Sequence, residues 1–519
     1  MEPLRKYTPF FSSALLMWVV LYIIYPHYQY YIDPDGTAYL TISRRYANGD
    51  IQRAINGYWS PWSCWLTAGL IRLGLQPIPS SVVINTLGAT GFLFISQSFF
   101  LRFSLARTMQ WLFDLTLVVF LCYAVFWQSF DDLWECFFLL SVLRIMLAAR
   151  FAERPALWVA IGFIGTLAYF AKAYSFPFFI LNTLCCTWLL TGKDWKRSLT
   201  ISVVAIATMV VCSLPWIWAL HSKYGIWTTS TAGTLNMSWY LVGHPVWKEG
   251  IDLLLPPPYP DSPYYWEDPW FVNGPTPHFW DSWQLFGLQI LRAGYNLFKL
   301  LRSMLGLSVF FPILFLLASR LCFSKQFRVH FPSGLRVVAL SFLLFPLGYI
   351  LINYESRYLW YMVPLSMVMG GLVLQNAAFN FRIPRALKVA LPLSFLIVPV
   401  WRLMVEMYDE GKYEYDFART LKVTGITGSF TGNERARSMS KVAFFSGLQY
   451  FSPIREFRQD TLLKEVRKYG VDYCVYFRTR SEYHIPFSAR NFSIYDESGK
   501  EFPRIKLADY PQYNIYYLR

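Results

Sequence analysis

Apolar residues in this chain come in long runs, separated by polar stretches of very unequal length. A helix needs roughly 20 apolar residues to cross a bilayer. Runs of that kind fall at 9–26, 82–101, 111–129, 133–149, 156–172, 175–191, 199–220, 303–321, 336–353, 357–377 and 387–405, so about 11 transmembrane helices are predicted. The short connectors are basic: Arg5 and Lys6, Arg102 and Arg107, Arg150 and Arg154, Lys193, Lys196 and Arg197, then Arg320, Lys325, Arg328 and Arg336, and finally Arg382, Arg385 and Lys388. With eleven helices every one of these falls on the same side, and the positive-inside rule makes that side cytoplasmic. Segments 27–80, 221–302 and 406–519, which hold all the long polar sequence, are then expected to face outward.

Composition agrees with that pattern. Of 519 residues, 55% are hydrophobic and only 15% charged, with mean hydropathy +0.32. Soluble proteins carry about 25% charged residues. The reading is an α-helical polytopic membrane protein. Its net charge of +15 sits largely in the cytoplasmic connectors and implies no nucleic-acid partner. The eight cysteines form no CxxC pair, which leaves neither a zinc framework nor a disulfide one. Basic residues precede the first run but no small-residue cleavage site follows, so that run is expected to stay as a helix.

Residues 1–405 make the membrane part, and the 406–519 tail is long enough for a small extracytoplasmic α/β domain. There TLLKEVRKYG predicts a helix with Leu462, Leu463 and Val466 inward, VDYCVYF a buried strand, and LKVTGITGSF a strand entering a turn at Gly425 and Gly428.

The segment Asp33 to Pro61, DPDGTAYLTISRRYANGDIQRAINGYWSP, carries the candidate chemistry. Asp33 and Asp35 sit where the first apolar helix leaves the bilayer, and acids there mark chemistry or an ion path. TAYLTISRRYANGD predicts an interfacial amphipathic helix stopped at Gly49. N-capping accounts for one acid at its start. Asp33-Pro34-Asp35 also matches DxD, a metal–nucleotide pattern of soluble transferases. Two aspartates do not complete an octahedral oxygen site, so no metal is expected and a divalent cation is the alternative. Outward-facing cations that suit a phosphate are Lys172, Arg357, Arg44 and Arg45, the arginine fork matching phosphate oxygens best. Their bland readings are ion pairing, snorkelling and lipid-headgroup contact. Tyr58, Trp59 and Trp62 suit either stacking or interface anchoring. His221 and His244 lie in the second outer loop without a motif.

These residues resemble the GT-C superfamily of membrane glycosyltransferases, in particular the protein mannosyltransferases and lipid A aminoarabinose transferases. The likeness rests on Asp35 four before Tyr39 after the first span, and on INGYWSPWSCWL, Lys172 in YFAKAYSFP, HSKYGIWTTSTAGTLN and ESRYLWYMVPL. Family members often carry Asp-Glu where this chain has Asp35-Gly36. The resemblance implies a GT-C-like fold and inverting transfer of a sugar from a polyprenyl-phosphate donor to an acceptor hydroxyl outside the cytoplasm. Asp35 is then the general base and Asp33 its partner acid, with Tyr39, Tyr58, Trp59, Glu355 and Tyr358 as substrate contacts. Implied partners are the lipid-linked donor, a lipid, glycan or protein acceptor, and membrane lipid. The implied setting is a bacterial inner membrane, with a cytoplasmic N-terminus and a periplasmic tail. The alternative is a transporter or flippase, which calls for mid-membrane charges and repeated halves. Arg144 and Glu135 lie near span ends and no repeat is visible. A structural or assembly protein is a third reading.

Overall fold

The computed structural model describes residues 6–127, 131–243, 254–272, 276–375, 384–433, 436–453, 459–477, 493–496 and 498–519. Apolar runs became helices: α1 (Thr8–Ile24), α4 (Pro77–Arg102), α5 (Arg107–Phe126), α6 (Asp132–Met146), α7 (Pro155–Ala171), α8 (Ser175–Leu190) and α9 (Trp195–Tyr224). Further along come α11 (Trp283–Leu307), α12 (Phe311–Phe323), α13 (Leu335–Leu344), α14 (Leu347–Leu351), α15 (Met362–Gln375), α16 (Arg385–Ser394) and α17 (Ile397–Trp401). The segments between the runs add α2 (Pro34–Ala47), α3 (Trp62–Arg72) and α10 (Thr231–Val242). Among the described residues, 4 helices are long and apolar enough to cross a membrane, or 6 if each of two bent pairs is one span. Four shorter apolar helices pack with them. The chain is a multi-pass membrane protein.

One bundle core runs through these helices, with Phe92, Phe113, Trp360 and Tyr361 at or below 1% exposure. Small residues permit close helix approach where water offers no driving force. A β-carbon at Gly162 of α7 would run into the Ala205 carbonyl of α9, and one at Gly165 into the Phe179 ring of α8.

Two expectations need correction. The span at 303–321 does not start at 303, because α11 runs through Leu307 and meets α12 at a 112° bend. Ser308 in extended conformation and Pro312 in the first turn of α12 account for the break. In the tail, LKV closes a helix rather than opening a strand. Phe417, Ala418 and Leu421 recur at helical spacing and are buried along α18 (Lys412–Val423).

The tail holds a five-stranded sheet of order β3-β2-β5-β7-β6: β2 (Ser429–Gly432), β3 (Gln449–Tyr450), β5 (Tyr473–Phe477), β6 (Arg504–Ile505) and β7 (Tyr513–Tyr517). Strand β2 pairs parallel with β3 and β5, and β7 antiparallel with β5 and β6. Helices α18, α19 (Ala436–Ser446) and α20 (Gln459–Tyr469) accompany it. Phe417, Phe430, Val442, Tyr450 and Ile515 make one buried cluster. Just after the GITG turn, Asp472 places its carboxylate on the Ser429 N–H at 2.8 Å. Tail and membrane part touch at several places, two of them as follows. Strand β1 (Leu254–Leu255) of the 221–302 segment pairs antiparallel with β4 (Ser452–Pro453), and Phe444 of α19 packs on Ile32 and Leu40.

Candidate active site

Asp33 and Asp35 part company at the first turn of α2. Asp33 is the N-cap, in extended conformation, and its Oδ1 accepts the Gly36 N–H at 2.7 Å. Pro34 follows at the first helical position, where its missing N–H costs nothing. Asp35 sits in the positive end of the helix dipole and turns into a cavity of about 410 Å³. There its Oδ1 accepts the Trp266 indole N–H at 3.0 Å and its Oδ2 accepts from Arg357 Nη2 at 3.1 Å. Burial raises both carboxyls above the usual range. Asp33 is pushed up to about 7, first by burial and then by the charge of Asp35. For Asp35, the Arg357 charge opposes the rise.

Arg357 lies in the short turn Ser356–Leu359 before α15. Its Nε also meets Glu355 Oε2 at 2.8 Å and Asp132 Oδ2 at 3.7 Å. Lys172 caps α7, where the chain swings to extended conformation. Its ammonium pairs with Asp132, lies 3.8 Å from Glu135 Oε2, and stands 4.1 Å from the centroid of the Tyr358 ring. Glu135 is held in turn by the Ser175 hydroxyl at 3.0 Å. Two cations thus lie among four carboxylates, Asp35, Asp132, Glu135 and Glu355.

Opposite them stands an aromatic wall. Tyr58 packs on Trp59 (4.7 Å between centroids), Trp266 (5.3 Å) and Trp239 (5.9 Å), and Tyr39, one turn beyond Asp35, on Trp59 (5.2 Å). The Asn56 carboxamide shapes the loop beneath by accepting the N–H groups of both Tyr58 and Trp59 at 2.9 Å. The Tyr58 hydroxyl donates to Asn236 Oδ1 at 3.0 Å.

Asp35, Lys172, Arg357, Tyr39, Tyr58, Trp59, Glu355 and Tyr358 all line this one cavity. Asp33, Arg44 and Arg45 do not. Neighbours on a helix point about 100° apart, and the two arginines separate accordingly. Arg44 lies over the Phe444 ring of the tail at 4.2 Å. Arg45, 4% exposed, is taken up by Glu267 at 2.5 Å, Asp261 at 2.9 Å and Asp50 at 3.1 Å. His221 stacks on Trp227 at 4.0 Å, away from the cavity. His244 lies outside the described residues.

Sequence reasoning passed over Asp131, Asp132, Trp266, Asn236 and Asn353, which also line the cavity. Asp131 and Asp132 carried a signal, two adjacent acids at the start of the fourth apolar run. Trp266 carried none, being one aromatic residue in a loop full of them.

No protein-family profile and no curated protein matches the sequence. Solved folds do match. ArnT from Cupriavidus metallidurans bound to undecaprenyl phosphate superposes with a TM-score of 0.52 at 13% identity, over 98% of this chain and 97% of that one. ArnT in the apo state gives 0.51 at 12% identity, over 98% of each chain. The Archaeoglobus fulgidus oligosaccharyltransferase in complex with Zn and sulfate gives 0.48 at 14% identity, over 87% of this chain and 63% of that one. The chain therefore has the ArnT fold across nearly its whole length.

Proposed function

We propose that this chain is an inverting glycosyltransferase that moves a sugar from a polyprenyl-phosphate donor to an acceptor hydroxyl on the extracytoplasmic face. One observation carries the reading: Asp35, Lys172 and Arg357, far apart in sequence, meet in one cavity on an ArnT fold. The ArnT structure that shares this fold is described as bound to undecaprenyl phosphate.

In an in-line displacement the acceptor oxygen bonds the anomeric carbon as the bond from that carbon to the phosphate oxygen breaks. The proton of the acceptor hydroxyl passes to Asp35, and the bonding electron pair leaves with the phosphate. Burial moves the Asp35 carboxyl upward, toward the pH at which it works as a base, while the Trp266 N–H and Arg357 aim its two oxygens. Arg357 and Lys172 face the charge that grows on the leaving phosphate. The ring wall of Tyr58, Trp59, Trp239 and Trp266 gives flat apolar surface for a sugar.

The same reading takes α1, α4 to α9, the α11–α12 pair, α13–α14, α15 and α16–α17 as 11 membrane crossings. Asp35, Lys172 and Arg357 then lie at outer ends of crossings, and residues 406–519 form an extracytoplasmic α/β domain over them. Transfer of a hexose or a pentose fits equally.

General-base assistance contributes about 10²–10⁴-fold, so Asp35→Asn is expected to lower transfer at least about 100-fold with yield and melting temperature retained. Radiolabelled sugar transfer from a lipid-linked donor by the purified protein measures it. Wild-type turnover in a folded Asp35→Asn protein would remove Asp35 from the mechanism. Mass spectrometry of lipid-linked sugars and surface glycans after deletion identifies the sugar and acceptor.

A further inference from the structure

Helix α11 is amphipathic in an inverted sense. Leu291 and Phe298 are 70% and 63% exposed, while Gln289 and Asn296 are buried at 8% and 0%. Gln289, Arg292, Asn296 and Lys299 follow at steps of three, four and three, which puts them on one face. That stripe reaches four consecutive residues, Ile350 to Asn353. Gln289 Nε2 donates to the Leu351 carbonyl at 2.5 Å. Asn296 Nδ2 donates to the carbonyls of Ile350 at 2.9 Å and Ile352 at 3.2 Å. Arg292 and Lys299 both donate to Asn353 Oδ1, at 3.4 and 3.2 Å.

The carbonyls involved are those that the C-terminus of α14 leaves without an intrahelical partner. At membrane depth an unsatisfied carbonyl is costly, because no water reaches it. Most helices meet this need locally, with a glycine or by tightening the last turn. Here a second helix meets it, and the chain it holds runs within a few residues into Glu355 and Arg357. From residue 353 to 357 the chain spans at most about 14 Å, so a displacement at the end of α14 reaches Arg357 with little slack to absorb it.

We propose that α11 is a strut, and that Gln289 and Asn296 are positioning residues that hold the end of α14 so that Arg357 stays on Asp35. The proposal rests on the reading of Asp35 as the base. Charged or polar groups that face Asp35 are Arg357 and Glu355 on the held segment, Trp266, Tyr58 and Tyr264 from the outer loops, Tyr240 on α10, and Asp33 on its own helix, while Asp132 on α6 meets Arg357 instead.

Asn296→Leu removes both donors at similar volume. Freed from its support, Arg357 stabilises the Asp35 carboxylate less, and the acid limb of the kcat/KM profile is expected to move up by half a pH unit or more. Turnover at neutral pH is expected to fall about ten-fold, about 1.4 kcal/mol, and hydrogen exchange in the peptide 350–358 to quicken. Leu291→Ala, on the outward face, leaves all three unchanged. Gln289→Leu, at the end of the stripe, serves if Asn296→Leu does not fold. A folded variant with wild-type acid limb, turnover and exchange overturns the strut. Failure of the base reading looks different: Asp35→Asn retains activity, while exchange in 350–358 still answers for the strut.

Discussion

Asp33 and Asp35 look equivalent in the sequence, and two residues of helix decide between them. The N-cap position turns Asp33 back onto the Gly36 N–H, and the first turn aims Asp35 outward into the cavity. That one acid of the pair suffices as a cap was legible; which of the two would cap was not. What Asp35 would meet was not, since Trp266 and Arg357 lie 231 and 322 residues away in sequence and no local pattern announces such a pairing. Asp33 makes its own prediction. Its carboxyl rises from about 3.8 in the unfolded chain to about 7 in the fold, so the folded state keeps the proton longer. Its contribution to stability is complete below pH 4 and is lost as pH climbs from about 4 to about 7. Asn is as good an N-cap as Asp and has no proton to lose. Asp33→Asn is therefore expected to flatten the fall in melting temperature between pH 5 and pH 7.5, measured in detergent. Parallel curves for wild type and variant would mean that Asp33 does not titrate in that window.

Single elements were easiest to read where one rule sufficed. Long apolar runs gave helices, and the polar–apolar alternation after Asp35 gave α2, closed by Gly49 at φ +81° as expected of a C-terminal stop. Helix α11 escaped because its first half lay below the hydropathy of a span and its polar stripe reads as loop until its partner, the end of α14, is known. Arg45 escaped for a related reason. It was a candidate for phosphate, but the acids that claim it, Asp261 and Glu267, belong to a loop whose path the sequence does not reveal. In the fold Arg45 rivets α2 to that loop, with Trp266 beside the rivet. Lys223 does the same for the next residue, its ammonium 2.9 Å from Asp268. Glu267 is 2% exposed, and removing one partner of a buried pair costs about 3–5 kcal/mol because the other is left charged and dry. Arg45→Ala is expected to destabilise the protein by about that amount in a thermal or denaturant melt. Arg45→Met with Glu267→Leu, which removes both charges, is expected to recover a large part. A loss no smaller in the double variant than in the single one would show that the pair is not what holds the loop.

At the scale of the whole molecule, the distribution of basic residues predicts which loops share a side, a property of the entire chain that is read without any contact. How the tail seats on the bundle was not marked, because it depends on surfaces that meet only after both have folded. The seat is sewn at a corner. Beyond α17 the chain passes the C-terminal end of α1, where Tyr408 stacks on His27 at 4.4 Å, Asp409 N–H donates to the His27 carbonyl at 2.9 Å, and Tyr415 stacks on Tyr30 at 4.4 Å. Gly411 stands in the middle of that seam with φ +87°, and a β-carbon there would run into the Tyr30 carbonyl. Two costs fall together at this position: the left-handed conformation, about 1–2 kcal/mol for a residue with a side chain, and the displacement of Tyr30 or of the tail. The bundle core lies elsewhere and loses nothing. Gly411→Ala is thus expected to loosen the tail without melting the helices, opening residues 405–415 to limited proteolysis at a protease level that spares wild type. Since Phe444 of the tail packs on α2, the helix that carries Asp35, turnover is expected to fall with it. Equal proteolysis and equal turnover would show that the corner yields to a methyl group, and that the tail is seated by β1–β4 and Phe444 rather than by the seam at Tyr30.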